Sequence, residues 1–90
     1  MSLKLGTKEL RSIAKALSSK TRQKILQILN QQSLDVSRIA QILEQTEANV
    51  SAQIAILQKN ELVSCEYQSG LHGVRKVCSV AIRDIAIDLF

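Results

Sequence analysis

Asn49 and Gln53 stand one helical turn apart in the stretch Thr46-Glu47-Ala48-Asn49-Val50-Ser51-Ala52-Gln53, and each amide both donates and accepts. That pair of functions matches the N6/N7 edge of adenine in a DNA major groove. Ser51 could bond a phosphate, and a helix N-terminus at Thr46 favours an anion through its free N–H groups. Glu47 could accept from cytosine N4 or make a capping interaction. Every one of these residues would also suit an ordinary solvated helix face. Grip on a polyanion comes largely from Lys and Arg. The candidates are Lys20, Arg22, Lys24, Arg38 and Lys59, with Arg75 and Lys76 beside a Gly-containing turn.

Cys65 and Cys78 flank Gly70-Leu71-His72-Gly73. If a hairpin turns at Leu71-His72, the two thiols face each other across the strands, at a separation where a disulfide is feasible. They are either buried structural thiols or a redox-responsive or thiol-reactive pair, since a cytosolic thiol is normally reduced. His72 is the one histidine, at the turn tip, where it is a solvated residue or a phosphate contact. Asp84 and Asp88 form an i, i+4 pair without an imidazole, as on a solvated face. No Ser-His or Cys-His pairing, P-loop or dinucleotide fingerprint is present, so no catalysis, metal or cofactor is expected.

Ninety residues suit one domain with a marginal core. Aromatics are 2% of the chain, so that core must be built from Leu, Ile, Val and Ala. Burying more apolar surface in a homodimer would offset the shortfall. Residues 1–38 hold eight Lys or Arg against Glu9 and Asp35, whereas residues 39–90 hold four against six acids. A basic first third on a near-neutral body fits a surface that faces a polyanion, or simply solvated helix faces. No apolar run spans a membrane and Met1 to Leu5 lacks a signal-peptide character, so a cytoplasmic location is expected.

These side chains need elements to hold them. Thr7 can cap a first helix carrying Leu10, Ile13, Ala14 and Leu17 at helical spacing. Ser18 or Ser19 caps a second, with Ile25, Leu26, Ile28 and Leu29 inward, ended by Asn30-Gln31-Gln32-Ser33. Asp35 caps a third over Val36 to Leu43. After Glu44-Gln45, Thr46 caps a reading helix over about 46–59, with Val50, Ile54 and Leu57 buried and Asn60 as C-cap. Val63, Cys65 and Tyr67 then alternate as the inward side of a strand, and Val74, Lys76, Cys78 and Val80 as that of its partner. This hairpin, about 62–80, could take a short strand at Ser33-Leu34. Ile82, Ile85, Ala86, Leu89 and Phe90 return to helical spacing over about 81–90. The expected fold is mainly α with a small β-hairpin wing. It is a winged helix-turn-helix with a three-helix core and N- and C-terminal dimerisation helices. Leu10, Ile13, Ile82, Ile85, Leu89 and Phe90 are the expected dimer contacts.

The chain resembles the ArsR-type winged-helix repressors in three segments. Ala16-Leu17-Ser18-Ser19-Lys20-Thr21-Arg22-Gln23-Lys24-Ile25-Leu26 is similar to the family's A-L-x-x-x-T-R-x-x-I-L opening. Asp35 to Ala40 leading to Val50 to Leu57 looks like V-S-x-I-A … V-S-x-H-L-x-x-L. Leu62-Val63 before the wing is the third. The resemblance implies a dimeric, DNA-binding and usually repressive protein released from DNA by an effector. The departures lie in the reading region. Glu44 holds the turn position where Gly is common, and Ala52-Gln53 replaces the common Arg-His pair. The third helix has no Cys or His, which disfavours the family's metal sites. With no Lys or Arg between Arg38 and Lys59, the uncharged reading face leaves a protein-interaction module as the alternative to a DNA-binding regulator.

Overall fold

The computed structural model describes residues 2–5, 7–71 and 73–87. Four helices run α1 (Thr7–Leu17), α2 (Lys20–Gln31), α3 (Val36–Leu43) and α4 (Glu47–Lys59). The strands are β1 (Ser2–Leu5), β2 (Leu34–Asp35), β3 (Val63–Gly70), β4 (Gly73–Val80) and β5 (Asp84–Ile87). Side-chain caps define three helix starts. Ser19 Oγ accepts from Arg22 N at 3.2 Å, Asp35 Oδ1 from Arg38 N at 2.7 Å and Thr46 Oγ1 from Asn49 N at 3.1 Å.

The helix-turn-helix turn is a Schellman closure. Glu44 N–H donates to Gln41 O at 3.2 Å and Gln45 N–H to Ala40 O at 3.0 Å, with Glu44 left-handed at φ 55. The same closure recurs after α4. There Glu61, at φ 60, donates to Gln58 O at 2.9 Å and Leu62 to Leu57 O at 3.0 Å. Both positions favour Gly, and both carry Glu.

β3 and β4 form an antiparallel hairpin in which Gly70 pairs Gly73; Gly73, at φ 106, needs the freedom of glycine there. β2 joins the far edge of β4, pairing Leu34 with Cys78 and Asp35 with Val77, one residue later than the expected Ser33-Leu34. Ile25, Ile39, Val50, Ile54, Leu57 and Cys78 are completely buried where α2, α3 and α4 meet this sheet.

Three expectations change. Residues 84–87 form β5, paired in parallel with β1 (Ser2 with Asp84, Leu5 with Ile87), where a C-terminal helix over 81–90 was expected. Helical spacing at Ile82, Ile85 and Ala86 coexists with a period-two run in which Ile85 and Ile87 alternate with Asp84 and Ala86. An isolated helix this short is marginal, and β-branched residues suit a paired strand. Tyr67, expected inward, is 74% exposed, because the hairpin projects beyond the helices after Cys65. Ile13 is buried within the single chain and so presents no free surface to a partner. His72, Asp88, Leu89 and Phe90 lie outside the described residues.

Candidate nucleic-acid interface

α4 buries Val50, Ile54 and Leu57 on the core and turns Glu47, Asn49 and Ser51 to solvent, together with Ala48, Ala52 and Ala55. Thr46 is spent on its cap, so its hydroxyl oxygen is already an acceptor for Asn49 N–H. Gln53 is half-buried. Its Nε2 donates to Asn49 Oδ1 at 3.3 Å, and Asn49 Nδ2 donates to Gln45 Oε1. Gln45 Nε2 in turn lies 3.5 Å from Thr21 Oγ1. The amides at 45, 49 and 53 therefore form one row along α4.

Arg22, placed by sequence among the surface cations, points inward from α2. Its Nη1 donates to Gln53 Oε1 at 2.6 Å. Its Nε donates to Ala16 O at 2.6 Å and its Nη2 to Lys15 O at 3.1 Å. These carbonyls belong to the last turn of α1, and Lys15 O also accepts from Ser18 N at 3.3 Å and Ser18 Oγ at 2.7 Å. Lys20, Lys24, Arg38 and Lys59 are exposed, Arg38 with its Nη1 3.2 Å from Gln41 Oε1.

The wing flanks the first turns of α3 and α4. Asp35, Ser37, Glu47, Ser51, Arg75 and Lys76 line an open cleft of about 480 Å³, which brings four of the expected residues to one place. Arg75 Nη1 pairs with Asp35 Oδ2 at 3.3 Å, so one carboxylate caps α3 and holds the wing. Asp35 and Glu47 make the cleft mixed in charge. The sequence reading had Asp35 as a cap alone and assigned no part to Gln45, whose i−4 spacing from Asn49 was the available signal. Leu71, fully exposed at the wing tip, and Val74, 67% exposed, also went unassigned.

Cys65 and Cys78 are direct cross-strand partners with sulfurs 2.7 Å apart, both free thiols. Burial, with the hydrogen bond the Cys78 thiol shares with Cys65, pushes that thiol up to about 12. Cys65 is the more accessible of the two. Among the described residues no group of three or more His, Cys, Asp or Glu is placed to hold a metal ion.

Residues 19–64, just over half of the chain, match the family described as "Bacterial regulatory protein, arsR family". The chain belongs to the arsR family. The matched span runs from the cap of α2 into β3, and so contains the whole helix-turn-helix of this arsR-family chain. Among solved structures it is similar to the homodimeric winged helix-turn-helix DNA-binding domain Mb0332 of Mycobacterium bovis, described as a possible ArsR-family transcriptional regulator. The two are 26% identical with a TM-score of 0.73, over 82% of this chain and 65% of that one. HlyU from Vibrio cholerae shares the fold at 20% identity and a TM-score of 0.73, over 83% and 77% of the two chains. No curated protein is significantly similar to this arsR-family chain in sequence. Its family and fold are those of transcriptional regulators. No helix among the described residues is long and apolar enough to cross a membrane.

Proposed function

We propose that the chain is a sequence-specific DNA-binding repressor that works as a homodimer on an inverted-repeat operator. The observation that carries this is the reading helix. α4 is capped by Thr46, anchored by Val50, Ile54 and Leu57, and presents Asn49 and Ser51 outward beside a wing bearing Arg75 and Lys76. In this reading Asn49 and Gln53 meet base edges, Ser51 and Glu47 lie at the groove entrance, and Lys20, Lys24, Arg38, Lys59, Arg75 and Lys76 supply phosphate contacts. Dimerisation is supported by the homodimeric mycobacterial relative and by Leu10, Ile82 and Ile85, which stay only half-buried in the single chain. Two-fold symmetry then places half-sites one or more helical turns apart.

Selection from a random duplex library at two salt concentrations tests it. The expected product is an inverted repeat bound more weakly at high salt. Failure to bind any duplex at low ionic strength would overturn the proposal.

A second reading, that the DNA-binding form is redox-responsive, is favoured by the two facing sulfurs. Loss of two protons and two electrons from Cys65 and Cys78 to a low-molecular-weight disulfide would join them. Direct antiparallel partners, about 4.5 or 5.5 Å apart at Cα, fall inside the range disulfides span. Two titratable thiols persisting after exposure of the native protein to that oxidant would end this reading.

A further inference from the structure

Gln53, Asn49 and Gln45 form a hydrogen-bonded amide row whose direction is set from one end. A free amide can turn over by half a rotation and exchange its donor for its acceptor. Arg22 has donors only, so the Gln53 oxygen must face it. The Gln53 NH₂ is then sent to Asn49 Oδ1, and the Asn49 NH₂ to Gln45 Oε1. Arg22 is itself held by two carbonyls of α1, so the end of the row is anchored to the helical core and not to solvent.

We propose that Arg22 is a specificity-determining positioning residue, which acts through Gln53 to fix which edge of the Asn49 amide donates and which accepts. The inference rests on the DNA-binding reading above. Each amide in the row keeps one free N–H and one free lone pair, which is the complement adenine requires at N7 and N6. Guanine shares the N7 acceptor but carries an acceptor, O6, where adenine carries a donor. An Asn49 amide of fixed polarity holds its oxygen against that position and rejects guanine. An Asn49 amide released from the row has both of its N–H groups free and can donate them to N7 and O6 together. Arg22 therefore contributes to the choice of base without touching DNA, and adds no phosphate contact of its own.

The test measures binding to the selected operator and to its adenine-to-guanine variants, with the base pair read by Asn49 assigned from Asn49→Ala. For Arg22→Met and for Gln53→Ala, adenine preference at that pair should fall about tenfold, on the scale of one bidentate base contact. The salt slope of Arg22→Met should match that of the unaltered protein. Gln53→Ala leaves both α1 carbonyl bonds of Arg22 in place, so it carries the test if Arg22→Met does not fold. A salt slope lowered by about one in Arg22→Met, with base preference retained, would make Arg22 a phosphate ligand and overturn the proposal. Duplex binding with unaltered preference in both variants would overturn this inference alone. No duplex binding by the unaltered protein would overturn the DNA-binding reading and this inference with it.

Discussion

Glu44 and Glu61 are backbone-strained in the same way. Each sits left-handed at the close of a Schellman turn, where a Cβ costs about 1–2 kcal/mol, and each places a negative charge at a helix C-terminus. Glycine would relieve both effects but lose more backbone entropy on folding. Glu44→Gly and Glu61→Gly should each raise stability by roughly 0.5–1 kcal/mol, read from urea midpoints at unchanged slope. Cys78 makes a second prediction. Its thiol is raised from 9.0 to about 12 in the fold, so between those values the unfolded chain sheds a proton that the folded chain keeps. The contribution is whole below pH 9 and is lost as pH climbs through that window, because the unfolded state then binds fewer protons. Denaturation midpoints should therefore decline above pH 9, less so in Cys78→Ala, and an alkylating agent at pH 8 should label Cys65 before Cys78.

At the level of elements, the wing and α3 share Asp35. Asp35→Ala removes both a cap and an ion-pair partner, and should cost about 1–2 kcal/mol in thermal or chemical denaturation, most of it from the cap. Asp35→Asn can still cap, so it should cost no more than about 0.5 kcal/mol, because the Arg75 end of the ion pair is more than half exposed and screened by water. The helices were legible for a related reason. Ser19, Asp35 and Thr46 act on N–H groups three residues away, so their chemistry is written locally, as is the hairpin register set by Gly70 and Gly73. Asn49 and Gln53 could be found from their i, i+4 spacing on one face. Arg22 could not. Its partners lie on α1 and α4, and no local pattern records that a charged side chain turns inward. β5 was missed because its partner, β1, lies at the other end of the chain. Tyr67 was misplaced because alternation reports a strand and not how far that strand extends past its cover.

Across the whole molecule, two sheets differ in how they are supported. The three-stranded sheet lies on the buried helices, whereas β1 and β5 make a two-stranded pair, an arrangement only marginally stable in water without help from packing. That help comes from Ile85, which packs on the core beside Ile82. Ile85→Pro should break the ladder. Amide exchange at Leu3, Lys4 and Leu5 should then approach unfolded rates, while Ile54 and Leu57 keep their protection.

The pairing of Ser2 with Asp84 also bears on how the chain folds. Nearly the whole sequence must be looped to bring those residues together, so this contact repays its closure entropy only after the intervening elements have collapsed. During synthesis the helix-turn-helix and its wing can assemble while β1 still waits for a partner not yet made. β1, made before every element that separates it from β5, is then ordered only after all of them.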